Sequence, residues 1–172
     1  MQTAKADGPA HRRIGFVARP LIEPEWDLVR AFVRRMKHED LRLRFGQPLD
    51  FADDATLRRA FDLKGQSGEI AWMFDDTATI AAIGHCMKVS PSEAELGLIV
   101  RSDLQRLGIG EFLLRQMLAR SVRQGLETVS AFVLRENRAA LRLVAKAGFV
   151  PREACALTVE LTYQLGGRAM PA

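Results

Sequence analysis

The chain has little of what builds covalent or metal-held scaffolds. Among its 172 residues only two are cysteine and three are histidine. Cys86 and Cys155 belong to no Cys-x-x-Cys pair, and His11, His38 and His85 stand at no ligand spacing from them. The expectation is two free thiols buried in strands, with no disulfide and no metal. No apolar stretch reaches the ~20 residues of a membrane span. The opening segment, MQTAKADGPAHRR, lacks the apolar centre of a secretory leader, so the reading is a cytoplasmic protein without membrane contact. There is no basic run. The net charge is +4, and the arginines are scattered with little aromatic interleaving. That pattern argues against nucleic acid and suits an anionic, phosphate-bearing partner.

What is present is an ordinary globular composition, 48% hydrophobic and 27% charged, in a chain long enough for one full core. Residues 12–165 read as a single domain between mobile tails at 1–11 and 166–172. RRIGFVARPL reads as a strand ended by Pro20. The segment EPEWDLVRAFVRRMK has Pro24 at a first helical position and a stripe of Leu28, Val29, Phe32, Val33 and Met36 at helical spacing. HEDLRLRFG is a helical turn closed by Gly46, and DDATLRRAFDLKG is a helix capped by an Asp or Thr and stopped by Gly65. GEIAWMF and TATIAAIGHCMKV are strands around the break DDTA, and SPSE is a second turn. In AELGLIV, Ala94, Leu96, Leu98 and Val100 alternate with Glu95, Gly97 and Ile99. A helix striped by Ile109, Phe112, Leu113, Met117 and Leu118 ends near Gly125. ETVSAFVL reads as a strand buried on both faces. ENRAALRLVAKAG is a helix with Asn137 near its cap, an inward stripe of Ala140, Leu143, Val144 and Ala147, and Gly148 as its stop. FVPREACALTVELTYQL adds further strand. This order implies an α/β (α+β) sandwich with a mixed central sheet.

The segment VRSDLQRLGIGEFLL places two glycines at a strand-to-helix junction. Free N–H groups at a helix start carry partial positive charge, and glycine lets a ligand approach the backbone. Gln105 and Arg106 add side-chain donors, so an anionic diphosphate is the natural guest. A Walker loop is excluded, because no Lys and Ser or Thr follow Gly110. A dinucleotide fingerprint is excluded, because its third glycine would fall at Leu113. On these residues alone a tight turn without a ligand stays open.

The spacing Gln105-x-x-Gly108-x-Gly110, with AELGLIV before it and ENRAALRLVAKAGF after it, resembles the GNAT superfamily of N-acetyltransferases over most of residues 14–163. The resemblance implies a mostly antiparallel mixed sheet of six to seven strands flanked by helices. A bulge in the AELGLIV strand would splay a strand pair to hold acetyl-CoA. The pyrophosphate would meet the amides of Arg106, Leu107, Gly108, Ile109, Gly110 and Glu111, with the Glu111 carboxylate pointing outward. The pantetheine arm would run beside Leu98, Ile99 and Val100, with an amide near Leu98 facing the thioester oxygen. Asn137 would contact the same arm as well as cap its helix.

An amine acceptor must lose a proton first. A lysine at pH 7 lies about 3.4 pH units from neutrality, roughly 4.6 kcal/mol. Glu95 stands just before the stretch that would receive the thioester, and the expectation is that it is the general base. The plainer reading is a solvated strand carboxylate like Glu93. The family's usual tyrosine acid falls here on Val144, and Tyr163, the only tyrosine, is not placed near the thiol. His85 reads as a satisfied histidine, and Trp26 and Trp72 as core aromatics. Residues 18–45 with GEIAWMF further resemble the acetyltransferase domain of bacterial protein-lysine acetyltransferases. That implies a protein lysine as acceptor, with Glu39, Asp40 and Glu69 placed to attract it. A small-molecule amine acetyltransferase and a non-catalytic acetyl-CoA sensor remain alternatives, and homodimerisation stays open.

Overall fold

A computed structural model describes residues 26–61 and 79–166 in full. It adds the backbone of three strands, β1 (Thr3–Ala4), β2 (Phe16–Arg19) and β3 (Gly68–Phe74). Pro20, Pro24, Gly65, the DDTA break, His11 and most of both expected tails lie outside the described residues, as do the side chains of Glu69 and Trp72. Between β2 and β3 come three helices, α1 (Trp26–Arg34), α2 (His38–Phe45) and α3 (Asp54–Phe61). After β3 the order is β4 (Ile80–Lys88), β5 (Glu93–Val100), a 3-10 turn at Ser102–Leu104, α4 (Ile109–Arg123), β6 (Thr128–Leu134), α5 (Arg138–Lys146), β7 (Val150–Ala154) and β8 (Thr158–Gln164).

The strands form one sheet in the order β1-β2-β3-β4-β5-β6-β8-β7. Every neighbouring pair is antiparallel except β5 and β6. The mixed, mostly antiparallel sheet matches expectation, but six to seven strands does not. The strands number eight, of which five, β4 to β8, are described to the side chain. The addition is β1, where Thr3 and Ala4 pair with the open edge of β2 inside the expected tail.

The alternation in β5 sorts the two cores. Ala94 and Leu96 are buried on one face with Leu113, Leu114 and Leu118 of α4, with Leu98 and Val100 packed alongside. Ile99 is buried on the other face with Val29, Phe32, Leu41 and Leu57 of the first three helices. β6 is not buried on both faces as expected. Val129, Ala131 and Val133 are buried, whereas Phe132 is 55% exposed. Phe132 stands on the side of β6 opposite Val129, Ala131 and Val133, a side on which Ser130 is buried and Phe132 is not. The thiols divide as well. Cys86 is buried in β4, but Cys155 is exposed in the turn between β7 and β8, where its Sγ accepts from the Thr158 N–H at 3.3 Å.

Helix boundaries follow local chemistry. Gly46, Gly125 and Gly148 take φ of 76°, 73° and 97° just past the ends of α2, α4 and α5, the left-handed conformation that terminates helices at least strain. Asp53 Oδ2 caps α3 through the Thr56 N–H at 2.8 Å. Asn137 caps α5, its Oδ1 accepting from the Ala140 N–H at 3.0 Å. Asn137→Ala is therefore expected to lower stability by about 1 kcal/mol, while Asn137→Asp, which keeps an acceptor there, retains most of it. Urea unfolding of the two variants measures the difference.

Candidate active site

The functional geometry begins where two neighbouring strands part. β5 and β6 pair only at Glu93–Glu95 against Thr128–Ser130. At this fork the buried Ser130 hydroxyl donates to the Ala94 carbonyl at 3.5 Å. Beyond it β5 runs on to Val100 against β4, and β6 runs on to Leu134 against β8. The expected bulge is absent: the β4–β5 register is unbroken from Ala82↔Val100 to Lys88↔Ala94. Each half-sheet keeps its own continuous ladder and twist, and the halves diverge where their shared pairing ends. A cleft of about 450 Å³ opens between them, walled by Leu96–Val100 on one side and Ala131–Val133 on the other.

One end of the cleft is the start of α4. Arg106 and Gly108 both adopt left-handed φ, 66° and 79°. A Cβ on Gly108 would meet nothing within 4 Å, so the space before it is open. Gly110 is closely packed, since a Cβ there would stand 3.4 Å from both Leu143 and Val100 side-chain carbons. No side chain caps α4, and its first backbone bond runs from Phe112 N–H to Gly108 O at 3.0 Å. The amides of Ile109, Gly110 and Glu111 thus have no partner within the helix. Gln105 Nε2 donates to the Val100 carbonyl at 3.5 Å, tying the loop to the end of β5. Glu111 is engaged by Lys146 at 2.7 Å and Arg115 at 3.0 Å. Those bonds, Lys146 foremost, hold its carboxyl below the ordinary range, so its charge is matched beside an anion-binding loop.

The other end is built by α2 and the opposite face of β5. Glu95, Gly97 and Ile99 share that face, and His85 on β4 is the cross-strand partner of Gly97. The Arg44 guanidinium reaches over Gly97, with Nη2 at 2.9 Å from His85 Nδ1 and 3.1 Å from Nε2. A Cβ at position 97 would collide with Arg44 and stand 2.5 Å from His85 Cε1, so glycine is the residue that leaves room. Loss of water around Arg44 draws its guanidinium down to about 10, against the opposing pull of the Glu95 charge. Loss of water, reinforced by Arg44, draws His85 down to about 3. His85 is therefore neutral at physiological pH and offers Arg44 a ring lone pair. Among the described residues the Glu95 carboxylate takes part in no hydrogen bond or ion pair.

Of the residues the sequence singles out, Glu95, Leu98, Ile99, Val100, Gln105, Arg106, Gly108, Ile109, Gly110, Glu111 and Asn137 all line this cleft. Leu107 does not: its side chain is 41% exposed outside the lining. Val144 lines the cleft as a buried apolar residue. Tyr163 is buried away from it, its ring tilted at 40° against Phe149 with 5.4 Å between centroids. Asp40 borders the cleft, but it accepts from the Ser102 hydroxyl at 2.5 Å. Glu39 is held by Arg42 at 2.7 Å and does not line the cleft. Sequence reasoning missed Arg44. Its one signal was Gly97, a glycine inside a strand, which marks close approach without saying by what.

The fold has counterparts. A profile of the acetyltransferase (GNAT) family matches residues 31–149. The GNAT domain of S. lividans PAT superposes with a TM-score of 0.79 at 18% identity, over 87% of this chain and 90% of that one. Spermidine N-acetyltransferase from Vibrio cholerae, in complex with CoA and spermine, gives 0.71 at 16% identity over 87% and 95%. A GCN5-related N-acetyltransferase from Kribbella flavida gives 0.71 at 16% identity over 87% and 97%. The family match spans more than half of the chain, and the chain accordingly belongs to the acetyltransferase (GNAT) family, whose N-acetyltransferases use acetyl-CoA.

Proposed function

We propose that this cleft binds acetyl-CoA and passes its acetyl group directly to a primary amine, with Glu95 as general base and a protein lysine side chain as acceptor. One observation carries the reading: an uncapped helix start, an open strand edge and a carboxylate with no hydrogen bond or ion pair among the described residues converge on a single cleft.

The residues fit the cofactor. The open space before Gly108 and the free amides of Ile109, Gly110 and Glu111 suit a pyrophosphate, with the Arg106 side chain nearby. The edge of β5 from Leu98 to Val100 lacks a strand neighbour on the cleft side, which suits an amide-bearing arm pairing along it. Asn137 lies at the cleft while its Oδ1 holds the α5 cap, so its side-chain amide group is left to donate. Bound there, acetyl-CoA supplies an activated acetyl thioester, and the C–N bond to the amine forms as the C–S bond breaks. Glu95 takes the proton that the acceptor ammonium must lose. Val144 donates nothing, but an unperturbed thiol titrates at about pH 8.5 and is a leaving group for which water suffices as proton donor. His85 is no second base: its pKa of about 3 leaves it without useful basicity.

The resemblance of residues 18–45 to protein-lysine acetyltransferase domains supports lysine as the acceptor. The fold likeness to spermidine N-acetyltransferase supports a small amine as the second reading. Transfer of labelled acetyl groups to proteins, compared with a panel of small amines, separates the two. Exclusive small-amine activity would replace the lysine reading.

Glu95→Gln is expected to leave acetyl-CoA affinity unchanged and to reduce turnover by about 10²-fold or more, read by calorimetry and steady-state rates. A near-wild-type rate removes Glu95 from the role. Gly108→Val forces a β-branched residue into left-handed φ at the cofactor loop, a strain of ~1–2 kcal/mol. Acetyl-CoA affinity is expected to fall by about tenfold, again by calorimetry. For His85 the folded pKa lies below the unfolded value of about 6.5, so the unfolded chain binds more protons between about pH 3 and 6.5. Its contribution to stability is complete above pH 6.5 and is lost as pH falls through that window. Unfolding measured at pH 7 and pH 5 should show the loss, and His85→Gln should diminish it.

A further inference from the structure

The carboxylates at the α2 end of the cleft are already engaged, with one exception. Arg42 holds Glu39 at 2.7 Å and, across the mouth, Glu136 at 2.7 Å. Asp40 accepts from Ser102. Only Glu95 among them has no hydrogen bond or ion pair with a described residue, although its charge acts on Arg44. On α2, Arg42 is paired and Arg44 has no ion pair among the described residues; Arg106 and Arg142, which also line the cleft, belong to the α4 loop and α5. The hydrogen bonding of Arg44 among the described residues is confined to Nη2, which lies 2.9 and 3.1 Å from the two ring nitrogens of one neutral imidazole and donates to whichever carries the lone pair, and its guanidinium also lies 5.1 Å from the Phe45 ring centroid. A guanidinium carries five N–H donors in a rigid fork. Among the described residues most of them are left unmatched, on a side chain that lines the cleft. Gly97 leaves room for the group, so the chain keeps a positive charge beside its proposed base when a side chain at that position would expel it.

We propose that Arg44 is a specificity residue at the acceptor end, binding an oxygen, either a carboxylate or a peptide carbonyl, carried on the same molecule as the reacting amine, and turning polyamines away. Building on the reading of Glu95 as the base, the placement sets the spacing. Glu95 and Gly97 are two residues apart on one face of β5, about 7 Å, comparable to the length of a lysyl arm. With its ammonium at Glu95, a lysine presents its own backbone oxygen, or that of a neighbour, toward Arg44. A polyamine offers a second ammonium there, and two like charges in a partly dehydrated site repel strongly. The filter is thus an attraction and a repulsion from a single group, the usual composition of specificity.

The test uses the full chain loaded with coenzyme A, and calorimetry of three ligands: Nα-acetyl-lysine with a free carboxylate, a lysine peptide amide with carbonyls only, and spermidine. The wild type is expected to bind at least one oxygen-bearing ligand about tenfold or more tightly than spermidine, and the tighter of the two identifies the oxygen. In Arg44→Met that ratio collapses to within about twofold. Arg44→Lys keeps the exclusion of spermidine while losing part of the oxygen affinity. Tighter binding of spermidine by the wild type overturns the proposal. So does an unchanged ratio in an Arg44→Met protein that folds and binds coenzyme A normally. Should Arg44→Met not fold, the wild-type ratio and Arg44→Lys decide. Binding is read without turnover, so loss of the Glu95 reading shows in acetyl transfer and loss of this one shows in the ligand ratio.

Discussion

The parting of β5 from β6 after Glu95 is the constraint on which the rest of the structure depends. A sheet that stayed closed would bury its backbone groups in a ladder and offer a ligand nothing. Here the two ladders on either side of the fork stay continuous, β4–β5 and β6–β8, while the shared pairing ends after three residue pairs. Unpaired edges are hazardous in a folded protein because they invite another strand. This edge lies in the interior of the sheet order, recessed between the start of α4 and the length of α5. It is accessible to a slender guest and shielded from a whole strand.

The helix starts show the same selectivity. α3 and α5 are closed by Asp53 and Asn137, each satisfying a backbone N–H. α4, the longest helix of the three, has Gly108 at its cap and no side-chain acceptor. Leaving it open forgoes about 1 kcal/mol that an ordinary cap contributes; α2 also starts, at Lys37, without a side-chain cap, but the start of α4 is the one whose first residues line the cleft. Neutralising Glu111 with Lys146 and Arg115 fits the same logic, since a free carboxylate in that first turn would compete for the amides.

What was legible in the sequence is what local pattern encodes. The two-residue alternation of β5 was readable because both of its faces meet a core, and the ends of α2, α4 and α5 were readable because each meets a left-handed glycine. The glycine loop and Glu95 could be placed because they are a few residues apart on one strand–loop–helix unit. The splay was not legible in its true form, since it is a loss of pairing between strands far apart in sequence rather than an inserted residue. Phe132 misled because its apolar neighbours imply burial, while its exposure follows from its place in the cleft where the two strands part. Arg44, His85 and Gly97 meet only in the folded chain, so Gly97 suggested close approach without identifying the helix that makes it.

The two ends of the cleft solve opposite electrostatic problems. At the α4 end the fixed positive character of free amides is joined by Arg106, and the one nearby carboxylate is tied down, which leaves a site for a strongly anionic group. At the α2 end Glu95 and Arg44 carry opposite charges that act on each other, and in the proposed reading this is where a neutral amine is generated from a cation. A carboxylate alone would bind the ammonium well and so favour its keeping the proton. A guanidinium nearby weakens that attraction, and by the same field it makes the carboxylate a weaker base. Arg44 can hold its charge in such surroundings because a guanidinium drawn down to about 10 is still protonated near neutrality. A lysine or histidine moved down by as much would stand closer to losing its own proton. The same position therefore requires arginine for charge, glycine opposite for space, and a neutral histidine for a lone pair.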